Sequence, residues 1–147
     1  MGSEHLRATL RDLFASQRLA VLATQGGGQP HTSLIAFAAS EDLRHLVFAT
    51  ERGTRKFANL AADPRVALLV DDRSHRAADL VEATAVTATG RAREAQDKER
   101  ERLAGLLLHR HPALKSFIAG PGCALISVAV ETYQVVTRFP SVAEFRP

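Results

Sequence analysis

Tryptophan is absent from the 147 residues, and cysteine, methionine and tyrosine occur once each. With Cys123 as the single thiol, neither an internal disulfide nor a four-cysteine metal site can form. Cys123 follows Gly120-Pro121-Gly122 and precedes an apolar run, a setting that suits a buried, inert thiol. Lysine is scarce as well: Lys56, Lys98 and Lys115 stand against 16 arginines. No stretch approaches the roughly 18 consecutive apolar residues of a membrane span. The first 17 residues lack the apolar segment of a secretory signal. A soluble, cytoplasmic protein with no membrane partner is expected. Nor is there a surplus of one charge sign: 19 Lys+Arg against 16 Asp+Glu leave +3, and the two signs are interleaved. A duplex binder concentrates its cations on one face, so no nucleic-acid partner is expected. A Gly-x-Ser-x-Gly elbow and a phosphate-loop lysine motif are both missing.

What is present is ordinary globular composition, 46% hydrophobic and 24% charged, of a length that makes one domain the default. Leu6, Leu10, Leu13 and Phe14 recur at helical spacing behind Ser3, a candidate cap. A short apolar strand, Arg18 to Thr24, and a second, His31 to Ala39, flank Gly26-Gly27-Gly28 and predict a hairpin. His45 to Thr50 reads as a third strand. Thr54 to Ala61 reads as a short helix closed by Asp63-Pro64. The unbroken apolar run Arg65 to Val70 predicts a strand buried on both faces. Asp79 to Arg93 reads as one long, bending strand, and Glu94 to Arg110 as an amphipathic helix with Leu103, Leu106 and Leu107 inward. A short helix from Pro112 to Phe117 precedes two last strands, Ala124 to Val130 and Tyr133 to Phe139. At least six strands in mostly turn-connected order predict a mainly β protein: an antiparallel barrel with peripheral helices.

One segment carries chemistry. In Phe48-Ala-Thr-Glu-Arg-Gly-Thr-Arg-Lys-Phe-Ala-Asn-Leu60 a strand ends at Thr50 and a helix begins near Thr54. Free N–H groups at a helix N-terminus attract anions, and the Thr50 and Thr54 hydroxyls can add donors. Arg55 and Lys56 place two cations in the first turn, where they oppose the helix macrodipole unless an anion sits nearby. A phosphate would pair with the guanidinium in bidentate fashion and with the ammonium as a point charge. These residues alone fit a phosphate site and a solvated basic turn about equally. His109 and His111, two apart on a helix, do not share a face. No carboxylate or thiol completes a ligand set, so no metal is expected. Tyr133 fits a barrel interior with its hydroxyl satisfied.

The same segment, with Asn-Leu-x-x-Asp-Pro-Arg-Val-Ala-Leu-Leu-Val after it, resembles the strand–turn–helix–strand signature of the pyridoxamine 5′-phosphate oxidase-like family of flavin-binding split barrels. The order of elements agrees over nearly the whole chain. The resemblance implies flavin mononucleotide (FMN) held at a homodimer interface and a small-molecule substrate. By position, Arg55 and Lys56 would grip the phosphate, and Thr54 and Thr50 would donate to it or to the ribityl chain. Ser33, Leu34, Ile35 and Ala36 would lie along the isoalloxazine ring. The partner chain would complete the pocket from the region of Thr84 to Thr87 and the final strand. The family also contains deazaflavin reductases and haem-utilisation proteins, so deazaflavin and haem are the alternative ligands, and a non-enzymatic flavin or haem carrier is the alternative role. The chain departs from the oxidase itself, with Ser33 for its arginine, Ala38 for its lysine and no Arg-His-Asp-Arg-like pattern between Thr137 and Pro147. Oxidation of vitamin B6 phosphate is therefore not expected.

Overall fold

Leu6, Leu10, Leu13 and Phe14 are all buried in the computed structural model, which describes residues 2–138 and 141–147. They form the inner stripe of helix α1 (Ser3–Ser16); its N-cap is Gly2, one residue before the expected Ser3. Strands β1 (Leu19–Gly26) and β2 (Gln29–Ala36) make the expected hairpin. Gly27 and Gly28 turn it with φ of +57° and +83°, the two positive values that a two-residue turn of this hand requires. The second strand is shorter than expected, because Phe37 breaks it from the two-residue β3 (Ala38–Ala39). Then follow β4 (His45–Glu51), α2 (Arg55–Ala62), β5 (Arg65–Asp71), α3 (Asp79–Glu82) and β6 (Ala85–Glu94). The chain ends with α4 (Asp97–Arg110), a 3-10 turn (Pro112–Leu114), α5 (Lys115–Ala119), β7 (Cys123–Thr137) and β8 (Ser141–Phe145).

The eight strands of the described residues form one antiparallel sheet, seven of them in the order β2-β1-β5-β6-β7-β4-β3 and β8 off that path against β7. β7 is the organising strand. One edge follows β6 from Ile126 to Val136, while its other edge serves β4 first and β8 afterwards. The β6–β7 register slips between Thr89 and Gly90, where a Cβ on Gly90 would lie 2.1 Å from the Ala129 carbonyl oxygen. A bulge of this kind sharpens the bend that lets a sheet curl. Curling brings the two ends of the path together: β2 runs through Phe37 directly into β3, which pairs with β4 at the other end. Yet β2 and β4 share no ladder. That seam is the split in an otherwise continuous barrel, and the mainly β, split-barrel expectation stands.

Three expectations are corrected. Asp79 to Arg93 is not one strand. The Asp79 carboxylate accepts from the backbone N–H groups of Ser74, His75 and Arg76 at 2.9, 2.7 and 3.3 Å. These bonds, that of Ser74 foremost, hold its pKa below the usual carboxylate value and gather the segment into a turn and α3. β5 is buried on one face only: Val66, Leu68 and Val70 point inward, while Leu69 is 36% exposed. The final strands are a single 15-residue β7, followed by a β8 that the sequence did not reveal. Phe139, the expected end of the last strand, lies outside the described residues.

Inside the barrel, Leu22, Phe48, Leu68, Val86, Ile126 and Val135 pack with Leu10 and Phe14 of α1. Each such side chain contributes about 1.5–3 kcal/mol on burial. Phe14 lies 5.6 Å from Phe37 and 5.7 Å from Tyr133 between ring centroids. The Tyr133 hydroxyl donates to the Leu43 carbonyl at 2.8 Å, as expected of a satisfied barrel tyrosine. Leu43 sits at φ +63°, a left-handed conformation that leucine adopts only under restraint. Tyr133→Phe is expected to lower the unfolding free energy by about 1–3 kcal/mol, because the buried carbonyl loses its donor. Burial raises the Tyr133 pKa, so its contribution is complete below the usual tyrosine value and fades as pH climbs above it. Urea titrations of both proteins at neutral and at alkaline pH check this: the gap between them narrows as pH rises.

A second apolar cluster lies outside the barrel. Helices α4 and α5 cover β4 and the start of β7 through Leu103, Leu107 and Ile118 against Val47 and Leu125. Cys123 is buried among them, as expected, and burial pushes its thiol pKa up.

Candidate functional site

The seam between β2 and β4 opens into a groove of about 320 Å³. Its walls are Leu34, Ile35 and Ala36 of β2, Ala49, Thr50 and Glu51 of β4, Thr54 and Lys56 at the start of α2, and Leu114 and Phe117 from beyond α4. Six of the residues expected from sequence therefore converge here: Leu34, Ile35, Ala36, Thr50, Thr54 and Lys56. Ser33 and Arg55 stand next to the lining without belonging to it. Ser33 shares the more buried side of β2 with Ile35 but lies one residue short of the lining, and Arg55 is the exposed first residue of α2.

The start of α2 is built by two threonines. Thr54 Oγ1 accepts from the Phe57 N–H at 3.3 Å and donates to the Glu51 carbonyl at 2.8 Å, the bonding of an N-cap. Thr50, 2% exposed, places its hydroxyl 3.1 Å from that of Thr54. Both hydroxyls are thus engaged within the turn, so either must exchange a partner to donate into the groove. The first turn of α2 holds no acid. Neither Arg55 nor Lys56 forms an ion pair among the described residues. The unsatisfied N–H groups and the two cations leave a concentrated positive end.

The rest of α2 is locked to the hairpin. Asn59 Nδ2 donates to Thr24 Oγ1 at 3.1 Å, both side chains being buried. Gly26 lets the amide come that close, since a Cβ there would sit 2.3 Å from Asn59 Oδ1. At the far end, Arg65 binds the Asp63 carboxylate through Nε at 3.0 Å and Nη2 at 2.7 Å, and Gln25 adds a further bond. Arg65, then Gln25, hold the Asp63 carboxyl far below the usual carboxylate range. Held at both ends, α2 keeps its first turn beside the seam.

Sequence reasoning missed Ala49, Glu51, Leu114 and Phe117. Ala49 and Glu51 flank Thr50 on the same strand. The Glu51 carboxylate leans toward Gly122, where a Cβ would meet it at 2.6 Å. Leu114 and Phe117 add apolar surface facing β2; Phe117 is 38% exposed. His111 does not reach the groove, because its Nε2 lies 2.7 Å from the Phe37 carbonyl. Among the described residues no cluster of three or more metal-ligating side chains occurs. No helix among them is long and apolar enough to cross a membrane.

A family model described as pyridoxamine 5′-phosphate oxidase matches residues 6–136. Comparison with curated proteins by sequence finds no match. Among solved structures, a heme-binding protein from Mycobacterium smegmatis superposes with a TM-score of 0.85 at 20% identity. That superposition takes in 95% of this chain and 57% of that one, so the chain spans a little over half the length of that protein. General Stress Protein 26 from Bacillus anthracis gives 0.73 at 21% identity, over 96% of this chain and 99% of the other. An FAD-binding protein from Mesorhizobium loti gives 0.69 at 17% identity, over 87% and 91%. At such identities the likeness is one of fold.

Proposed function

The chain belongs to the pyridoxamine 5′-phosphate oxidase family, and from that premise we propose that it is an oxidoreductase that holds FMN in the seam between β2 and β4. The observation that carries the reading is the meeting, in one groove, of a cationic helix start and an apolar strand edge. FMN has the matching halves, a phosphate and a flat ring. Arg55 and Lys56 would hold the phosphate beside the free N–H groups of α2. Leu34, Ile35 and Ala36 on one side and Leu114 and Phe117 on the other would exclude water from the ring. Thr50 and Thr54 keep the helix start in place. The bound flavin supplies the hydride or electron transfer, while the protein binds, orients and shields it. No side-chain acid or base is required, in keeping with a lining whose one carboxylate, Glu51, leans away toward Gly122.

A second copy of the chain is the proposed partner. The outward residues of neighbouring strands align as Leu34, Val21, Leu69 and Thr87, followed by Thr32, Ala23, Ala67 and Thr89. These two rows are uncharged, and Leu34 and Leu69 remain exposed. A flat apolar surface of this kind marks an association site. It borders the groove through Leu34, so a partner seated on it would close the pocket, as would residues near Thr84 to Thr87.

The purified chain, reconstituted with FMN, is expected to be yellow, to bleach with dithionite and to recover in air. Parallel titrations with a deazaflavin and with haemin discriminate the alternatives. Tight binding of either with no uptake of FMN would overturn the assignment, and FMN bound without turnover of any donor or acceptor would leave a carrier in place of an enzyme.

A further inference from the structure

A cavity of about 590 Å³, larger than the seam groove and sharing no lining residue with it, lies between α1, the β3–β4 turn and the end of α4. Its floor is apolar, with Phe14, Leu43 and Leu106. Its polar side holds Arg11, His109 and Arg110 against a single acid, Glu41. Arg11 donates to the Glu41 backbone carbonyl at 3.1 Å and forms no ion pair with its carboxylate among the described residues.

Arg110 is the anomaly. Its Nη2 donates to the Gln17 carbonyl, and Arg18 in turn donates to the Arg110 carbonyl at 3.3 Å. This exchange ties the ends of α1 and α4 together. It leaves Arg110 Nε closed off from water with no hydrogen-bond partner. No carboxylate pairs with the guanidinium among the described residues. Burial, with Arg18 nearby, makes its charge harder to sustain. A strut between two helices needs only the Nη2 bond. It accounts neither for a guanidinium without a counter-ion nor for the cavity that the same residue lines. A partly buried guanidinium with no counter-ion, beside an apolar floor, is suited to a planar anion, because part of the desolvation cost of such a contact has been incurred in folding.

We propose that this cavity binds a small organic carboxylate with an apolar body, its carboxylate on Arg110 and Arg11 and its hydrocarbon against Phe14, Leu43 and Leu106. The assignment does not depend on the flavin reading.

Sodium octanoate is the probe, with 1-octanol and inorganic phosphate as controls, titrated calorimetrically into the full-length protein. Octanoate is expected to bind at least about tenfold more tightly than octanol, as a charge-assisted pair requires, and phosphate to compete poorly. Arg110→Met is expected to weaken octanoate by roughly 10- to 100-fold and octanol little. Because that variant also removes the tie to Gln17, the unaltered protein supplies a second readout. Its Arg110 Nε–H resonance, assigned by ¹⁵N NMR, is expected to shift on adding octanoate and to stay fixed with octanol. A resonance unmoved by octanoate, octanol binding as well as octanoate, or phosphate binding as tightly as octanoate would each overturn the proposal.

Discussion

Arg55→Ala combined with Lys56→Ala is expected to weaken FMN binding by about two to four orders of magnitude while leaving riboflavin nearly untouched. Each lost charge-assisted contact is worth roughly 1.5–3 kcal/mol. Two such contacts give the quoted range, and the exposure of Arg55 places the outcome toward its lower end. Riboflavin lacks the phosphate and so cannot report the loss. The fold should survive, because neither side chain belongs to the core. Removing two cations from the first turn of α2 should even raise the stability of the ligand-free protein by a few tenths of a kcal/mol to about 1 kcal/mol, since they oppose the helix macrodipole there. Fluorescence titration with both ligands and a urea melt of the free variant test the two halves. Equal loss for FMN and riboflavin would remove Arg55 and Lys56 from the phosphate site.

Leu69→Asp is expected to separate the proposed dimer. Leu69 lies at the middle of the outward apolar rows, opposite Val21 on one side and Thr87 on the other. In the single chain it is partly exposed, so a carboxylate there is hydrated and the monomer should fold. Across a dry interface the same carboxylate would be buried without a partner, a change that costs roughly 2–5 kcal/mol. Twofold symmetry doubles the insult, so the dissociation constant should rise by about three orders of magnitude or more. Sedimentation of the two proteins over a concentration series measures it. FMN affinity should fall in step if the partner completes the pocket. A monomeric parent chain that binds FMN tightly would dismiss both the dimer and the shared pocket.

Local features were legible in the sequence. Gly27 and Gly28 declare the hairpin because few other residues tolerate their φ values. Thr54 and Asp63-Pro64 mark the limits of α2, and the helical stripe of α1 is visible in four residues. The β2, β4 and α2 walls of the groove followed from one contiguous motif and its hairpin. What could not be read depends on residues far apart in the chain. Phe117 reaches the seam only after α4 has crossed the outside of β4 and α5 has folded back. Leu69 looked like core because an apolar run gives no sign of which face meets solvent. The break at Asp79 was hidden by the alternation of Val81, Ala83 and Ala85. It was decided by a carboxylate that collects three backbone N–H groups, a preference that periodicity does not record.

The seam has a geometric consequence. Its walls, β2 and β4, are joined at one end, where Phe37 carries β2 into β3 and β3 pairs with β4, and they share no ladder beyond that joint. Away from the joint, their separation is the remainder left after β1, β5, β6 and β7 have each added their rotation, about 20–25° per neighbouring pair in ordinary sheets. The gap therefore works as the jaws of a caliper whose frame is the whole sheet, and small angular errors add up at its mouth. Gly90, at the register slip between β6 and β7, sharpens the bend in that frame. A residue with no contact to a ligand thus governs the width of the slot a ligand must enter, and tolerance in the slot is bought by rigidity everywhere else.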